Sequence, residues 1–228
     1  MRKLLLFLFS HRLLAIARWD LHFLRLRLRN TVTFQTRRIC KFIATCAQPL
    51  YLNLGSGPRG LKDPHWVNVD GFPAPNVHFT LDFGRRLPFA DATFDGIFCE
   101  HVIEHFSLED GEALAREAWR VLRPGGCLRV VVPDAELVMR RYFDAPSELI
   151  AWRGEGTETV METVNSCFRQ RYEHQFLYDW AGMEKMLQRA GFASVTRASY
   201  GKSPCCPALA LDDSKYEWES LYAEAIKP

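Results

Sequence analysis

The chain has 228 residues, of which 48% are apolar and 25% are charged, and its formal net charge is +2 at pH 7. These values are close to the globular average and exclude a disordered or low-complexity chain. The seven cysteines include no C-x-x-C pair, which argues against the common zinc motifs, and their odd number argues against a disulfide framework. We therefore expect a cytoplasmic protein in a reducing compartment, with no metal site.

The first 45 residues differ from the rest in charge. They contain ten Lys and Arg residues against Asp20 alone and are rich in Leu and Phe, whereas the remainder is acidic. We expect a basic amphipathic helical extension over residues 1–45, followed by one domain over 46–228. Two interpretations stay open: residues 1–30 bind the inner face of an anionic membrane, or the helix packs on its own sheet or on a partner subunit. The apolar run 4–9 is too short to span a bilayer, which takes roughly 20 residues.

The first predicted strand, Tyr51–Leu54, ends at Gly55-Ser56-Gly57, where the backbone can approach a ligand without a Cβ in the way. A second strand, Trp66–Asp70, ends in a carboxylate that can accept the hydroxyl protons of a ribose. Dinucleotide folds separate the first glycine from this acid by roughly 20 residues. Here the separation is shorter and contains prolines, so we predict a short first crossover and a nucleoside ligand without a pyrophosphate.

The next elements alternate between strand and helix. Strands are predicted over 77–82, ending at Asp82, over 94–99, and over 127–132, and a helix over 109–122 because its apolar residues recur at spacings of three and four. Pro124-Gly125-Gly126 is expected to end this helix. The alternation predicts an α/β fold with a doubly wound, mostly parallel sheet.

Four motifs in this order resemble class I S-adenosylmethionine-dependent methyltransferases of the type 11 group. They are LNLGSG at 52–57, LPF at 87–89 with FD at 94–95, EHVIEH at 100–105 and RVLRPGG at 120–126. The later segment YEHQFLYD at 172–179 resembles a narrower set of predicted bacterial methyltransferases that are often linked to surface polysaccharide synthesis. The resemblance implies a seven-stranded Rossmann-like sheet, S-adenosyl-L-methionine as cofactor, and methyl transfer.

The resemblance also implies which residues bind the cofactor. The glycine turn would line its methionine and ribose parts, Asp70 its ribose hydroxyls, Asp82 and Phe83 its adenine edge, and Glu100 its sulfonium end. Asn53 stands where the wider family often has an acid. The complete predicted set is Asn53, Gly55, Ser56, Gly57, Asp70, Asp82, Phe83 and Glu100.

Three histidines are candidate catalytic bases: His101, His105 and His174. An oxygen acceptor needs a proton removed, and imidazole titrates nearest to neutral pH. Aromatic residues surround His174, and we expect them to form a substrate wall, although an ordinary hydrophobic cluster is the alternative; they are Phe168, Tyr172, Phe176, Tyr178 and Trp180. His105 can equally serve only to pack its loop.

The interpretation is methyl transfer to a small-molecule or glycan-type acceptor, with O-methylation expected and a substrate-side insertion at about 134–180. The alternative is a non-catalytic scaffold that binds the cofactor at a membrane surface. A nucleic-acid partner is not expected, because acidic residues surround the predicted mouth and oppose phosphate binding.

Overall fold

A computed structural model of the protein describes residues 11–153, 156–170 and 173–228. The apolar run 4–9, Tyr172 and Arg171 lie outside the described residues. Helices occupy α1 (His11–Val32), α2 (Gln35–Ile43), α3 (Leu108–Val121), α4 (Ala135–Asp144), α5 (Pro146–Arg153), α6 (Val160–Arg169) and α7 (Trp180–Arg189). Strands occupy β1 (Tyr51–Leu54), β2 (Trp66–Asp70), β3 (Phe79–Thr80), β4 (Phe94–Glu100), β5 (Leu122–Pro133), β6 (Ser194–Arg197) and β7 (Ser220–Ile226).

The seven strands form one sheet in the order β3-β2-β1-β4-β5-β7-β6. The pairs from β3 to β5 are parallel, and β7 runs antiparallel to both of its neighbours. β1, β2 and β4 consist mostly of buried residues, as is typical of parallel strands with both faces covered. The predicted α/β class with a mostly parallel seven-stranded sheet is confirmed.

Two predicted strands differ in extent. The strand predicted over 77–82 pairs only at Phe79 and Thr80, because it lies at the edge of the sheet beyond β2. The fifth strand begins at Leu122, earlier than predicted, since Leu122 pairs with Phe94 directly after α3. The register then shifts, and Gly96 pairs with Cys127. Pro124-Gly125-Gly126 therefore lies in an irregularity inside β5. The prediction that these residues end the helix was wrong.

α3 shows the local signals of a helix that covers a sheet. The Ser107 hydroxyl accepts a hydrogen bond from the Asp110 amide at 3.2 Å, and Glu109 and Asp110 lie in the first turn, where acids are favoured. Its buried residues, Leu114, Ala118 and Val121 among them, lie on one face. α3 thus connects β4 to β5 and packs its buried face on the sheet.

The region predicted as a substrate-side insertion contains α4, α5 and α6. Four buried residues give these helices an apolar cluster of their own: Val138, Leu149, Val164 and Cys167. α6 begins with a capping box between Thr159 and Glu162. The limits of the insertion remain a prediction. Its helices lie beside the carboxyl ends of β4 and β5.

The two helices of the N-terminal extension pack on the protein's own sheet. In α1, Leu26 is 4% exposed and His22 Nε2 donates to the carbonyl of Gly71 at 2.9 Å. In α2, Ile39 is fully buried and the Gln35 amide donates to the carbonyl of Thr80 at 3.0 Å. Of the helices that the structure describes, none has the length and apolar character needed to cross a bilayer. Membrane contact through residues 1–30 remains a prediction.

Candidate functional site

The glycine turn after β1 is held in a conformation that requires glycine. Gly55 has φ +82° and Gly57 has φ +50°. The amides of Gly55 and Ser56 both donate to the carbonyl of Val69, at 2.9 and 3.0 Å. A Cβ at position 55 would overlap Val102 Cγ2, whereas a Cβ at position 57 would meet open space. The turn is therefore packed tightly on the Val102 side and open on the other.

Asp70 ties this turn to the end of β2. Its carboxylate accepts a hydrogen bond from the Gly57 amide at 2.8 Å and another from the Phe72 amide at 2.9 Å. Ser56 is buried, and among the described residues its hydroxyl has no hydrogen-bond partner. A buried polar group without a partner is uncommon in a finished structure. The half-buried carboxylate, the orphaned hydroxyl and the open space beside Gly57 fit a polar nucleoside ligand.

Asp82 lies at the end of β3 beneath α1. Its carboxylate accepts from Arg27 Nη1 at 2.7 Å and from the Gly84 amide at 3.1 Å. Phe83, the next residue, is buried in the main core. The residues predicted to meet an adenine edge are thus covered in part by the N-terminal helix, which the sequence did not predict.

Asn53 and Glu100 hold loops around the turn. Asn53 Nδ2 lies 3.4 Å from Asn68 Oδ1, and Asn68 in turn bonds the backbone of Leu61 in the first crossover. Glu100 accepts from the Asp213 amide at 2.9 Å and forms an ion pair with Arg59. Arg59 was not predicted to belong to the site, although its position two residues after the glycine turn was a signal.

His101 leaves β4 with φ +52°, in the left-handed region. Its Nδ1 lies 3.1 Å from Glu104 Oε1, and its Nε2 lies 3.2 Å from the Ser220 hydroxyl at the start of β7. Its ring centroid is 4.1 Å from that of Tyr216. The Glu104 carboxylate thus orients the imidazole at Nδ1, and Nε2 points toward β7.

Glu104 is completely buried beside the three histidines. Burial alone would raise the pKa of Glu104, but a hydrogen bond from His101 and the charges of His101, His105 and His174 oppose it and lower the pKa overall. The carboxylate is therefore ionised at neutral pH. Glu104 was not predicted to have a catalytic or binding role, although it follows His101 by three residues.

His105 and His174 face each other with ring centroids 5.0 Å apart. His105 Nδ1 lies 3.1 Å from the carbonyl oxygen of Glu173, and His174 Nδ1 lies 2.8 Å from that of Cys167. The structure thus brings together all three predicted histidines, two from the β4 exit and one from the segment after α6.

These histidines line a cavity of about 480 Å³. Its other lining residues are Glu104, Trp152, Gln170, Lys215, Tyr216, Trp218 and Glu219. Of the aromatic residues predicted to form a wall around His174, the four that the structure describes are not among those that line it. Tyr178 is fully buried in the main core with Phe176 and Trp180 packed against that core, and Phe168 packs on the α4–α6 cluster. The aromatic residues near His174 in sequence thus pack in the apolar cores. The aromatic residues that line the cavity come from segments that are distant in the chain.

Comparison with known proteins bears on the sheet. A family model described as a methyltransferase domain matches residues 67–130. The ubiquinone/menaquinone biosynthesis C-methyltransferase of a Caulobacter species is 31% identical over 134 residues, 56% of this chain and 50% of that protein. The demethylmenaquinone methyltransferase of Streptomyces griseus is 30% identical over 132 residues, 53% of this chain and 52% of that protein. The chain spans about half the length of these curated relatives.

A solved structure agrees over more of the chain. A SAM-dependent methyltransferase from Thermotoga maritima superposes with a TM-score of 0.50 at 16% identity, covering 92% of this chain and 99% of that one. At this identity the likeness concerns the fold.

Proposed function

We infer that this chain, which carries a class I S-adenosylmethionine-dependent methyltransferase domain of the type 11 group, transfers a methyl group from S-adenosylmethionine to an acceptor in the histidine-lined cavity. The observation that carries the proposal is the position of Val102. Its side chain packs on Gly55 of the cofactor turn, and His101 and Ile103 flank it in sequence. Val102 thus joins the predicted cofactor turn to His101, which lines the cavity.

The turn and Asp70 would hold the methyl donor. The donor supplies an electrophilic methyl group on a sulfonium, and the protein's part is to bind, orient and keep water out. Asp70 would bind the ribose hydroxyls, and the buried Ser56 hydroxyl would bond a polar atom of the ligand. Alignment of donor and acceptor contributes on the order of 7–11 kcal/mol to lowering such barriers.

The acceptor we propose is a hydroxyl on a small or glycan-type ring. Trp152, Tyr216 and Trp218 offer aromatic faces on which a sugar ring can lie, with polar groups of Lys215 and Gln170 beside them. His101, oriented by Glu104, is the group placed to take the hydroxyl proton. This is the reason for proposing transfer to oxygen.

A second acceptor class comes from the relatives. The names of the Caulobacter and Streptomyces griseus proteins describe a C-methyltransferase of ubiquinone/menaquinone biosynthesis and a demethylmenaquinone methyltransferase. An aromatic quinol ring would also stack on the tryptophans. The similarity covers about half of each relative, so this stays the second candidate, with transfer to carbon as its distinguishing outcome.

The test is labelled methyl transfer with purified protein. Wild type is incubated with methyl-labelled cofactor and, separately, with glycan or sugar acceptors and with a demethylated quinol, and mass spectrometry locates the label. We expect His101→Asn, which tolerates the left-handed backbone, to lower kcat by roughly 10²–10⁴-fold while the cofactor Kd measured by calorimetry is unchanged. Asp70→Asn should weaken cofactor binding instead.

His65→Ala is the matched control, since His65 is half-buried and bonds the carbonyl of Pro49 away from the cavity. A His101→Asn rate equal to wild type would reject the role given to this residue. Cofactor binding without transfer to any acceptor, including those in cell extract, would favour the non-catalytic scaffold.

A further inference from the structure

We propose that Glu104, His105 and His174 form a binding site for a divalent transition-metal ion, with Zn²⁺ the best match. Each residue offers one ligand atom, and these atoms lie within 4.8 Å of one another. Small side-chain movements would place each ligand atom at the roughly 2.0–2.2 Å from the ion that zinc requires for nitrogen and oxygen ligands.

The backbone contacts of the two histidines set up this site. The Nδ1 atoms of His105 and His174 face the carbonyl oxygens of Glu173 and Cys167. A carbonyl oxygen only accepts, so each Nδ1 carries a hydrogen, and Nε2 is the ring nitrogen that would bind a metal. Metal-binding histidines almost always donate their other N–H in this way, which fixes ring orientation and raises ligand basicity.

Glu104 supplies a negative charge with no exposed surface. Oε1 lies beside His101 Nδ1, and for Oε2 no hydrogen bond is recorded among the described residues. A buried carboxylate is costly unless it is paired, hydrogen-bonded or bound to a metal. One oxygen of the carboxylate can therefore contact His101 while the other binds a cation.

The donor set selects the class of cation. Two imidazoles and one carboxylate match zinc sites of the His₂Glu type, which keep one position open, whereas Mg²⁺ and Ca²⁺ prefer sites made of oxygen ligands. All three side chains line the 480 Å³ cavity, so the open position would face it. Any part of the ion in holding an acceptor rests on the proposed function, but ion binding does not.

The experiment measures binding directly on untagged full-length protein stripped of metal. Zn²⁺ and Mg²⁺ are titrated separately by calorimetry, and Co²⁺ is followed by its absorption spectrum. We expect Zn²⁺ binding with little affinity for Mg²⁺, and a loss of Zn²⁺ affinity of more than roughly 100-fold in His105→Ala and in Glu104→Gln. His105 is not fully buried, so His105→Ala should keep the fold, which thermal unfolding checks without metal.

Two controls separate this site from others. His65→Ala removes an unrelated, half-buried histidine. Cys205→Ser addresses Cys127, Cys205 and Glu224, whose ligand atoms also lie within 4.8 Å of one another. The proposal is overturned if Zn²⁺ does not bind, if His105→Ala and Glu104→Gln bind it as wild type does, or if only Cys205→Ser removes binding.

A separate observation concerns α1, which has a second apolar face on its outer side. Leu21, Leu24, Leu28 and Val32 are 45%, 45%, 60% and 75% exposed, and their spacings of three and four residues place them in one stripe. The helix is docked by its other face, through Leu26 and His22. The outer stripe therefore has no part in holding α1 on the sheet.

The charged residues around the outer stripe indicate what kind of surface it binds. Arg18 and Arg25 are exposed and lie beside it on the helical wheel, and Arg37, Arg38 and Lys41 are exposed on α2. Anionic lipid headgroups attract such residues while the acyl region takes up the leucines. We infer that this face of α1 lies in the surface of an anionic membrane.

Vesicle flotation tests this inference with full-length protein. Binding to vesicles of phosphatidylglycerol and phosphatidylcholine should exceed binding to phosphatidylcholine alone, should weaken with salt, and should fall by more than roughly tenfold in Leu24→Glu/Leu28→Glu. The matched control is Met139→Glu/Phe143→Glu, which changes two residues on α4 that are 48% and 77% exposed.

Three outcomes would overturn the inference: equal binding by both double variants, no preference for anionic vesicles, or a stripe variant that only converts a dimer to a monomer in sedimentation. Retention on RNA that competes fully with anionic vesicles, with both lost in the stripe variant, would assign the face to nucleic acid instead.

Discussion

At the scale of single residues, Gly55 and Val102 connect the predicted cofactor turn to the cavity. Gly55 is needed for two separate reasons, its φ of +82° and the contact that a Cβ would make with Val102 Cγ2. Gly57 has only the first reason, with φ +50° and open space around the position of a Cβ. The two glycines therefore separate backbone strain from steric overlap within one turn.

We predict that Gly57→Ala lowers the free energy of unfolding by about 1–2 kcal/mol, since a left-handed backbone costs about that much for a residue with a Cβ. Gly55→Ala should lower it by about 1–3 kcal/mol more, because the methyl group overlaps Val102. Urea unfolding measures both. Adding Val102→Ala to Gly55→Ala should show a favourable coupling, and purely additive effects would contradict the overlap.

At the scale of elements, local pattern located strands and helices more reliably than their ends. β1 and β2 begin and end where predicted, because each is a short buried run bounded by a turn. β3 is shorter than its apolar run, since an edge position offers it a single neighbour. The start of β5 depends on Leu122 pairing with Phe94, a contact that the sequence around Leu122 does not contain.

The N-terminal helix illustrates the same limit. Its spacing predicted an amphipathic helix but left its partner open, since apolar residues that face a core or a membrane have the same period. The structure shows that α1 has two apolar faces, one docked through Leu26 and one exposed at Leu24 and Leu28. Only packing on the sheet edge could assign each residue to its face.

At the scale of the whole molecule, a buried ionic network joins the last strands to the loop before β7. Arg129 of β5 is fully buried and donates to Asp212 at 2.8 and 2.5 Å and to Glu224 of β7 at 3.1 Å. It also donates to the carbonyls of Lys202 and Ser199. Burial alone would lower the pKa of Arg129, but the hydrogen bonds and charges of Asp212 and Glu224 raise it, so the guanidinium stays charged.

We predict that Arg129→Met lowers the free energy of unfolding by about 3–5 kcal/mol, because two buried carboxylates lose their counter-ion. Arg140→Ala is the control, since its pair with Glu136 is exposed and its loss should change the stability little. Denaturant unfolding of both variants is the measurement. Similar losses in the two would show that burial of the network contributes little.

The candidate site was only partly predictable. His101 and His105 were found because they follow a buried strand in a motif, and His174 because it is a histidine among aromatic residues. Trp152 and Trp218 were missed, since no local period marks a residue whose neighbours in the cavity are about 50 to 110 positions away. A search for cysteine spacings could not detect a cluster of two histidines and a glutamate.

The sequence by itself determined the alternation of strands and helices, the glycine turn and its acid at Asp70, because these depend on local periodicity and on backbone conformations that neighbouring residues set. Only the tertiary structure decided what meets at the ends of the strands. Arg27 pairs with Asp82 across 55 positions, and His174 reaches His105 across 69, because sheet order and helix packing place together residues that the chain keeps apart.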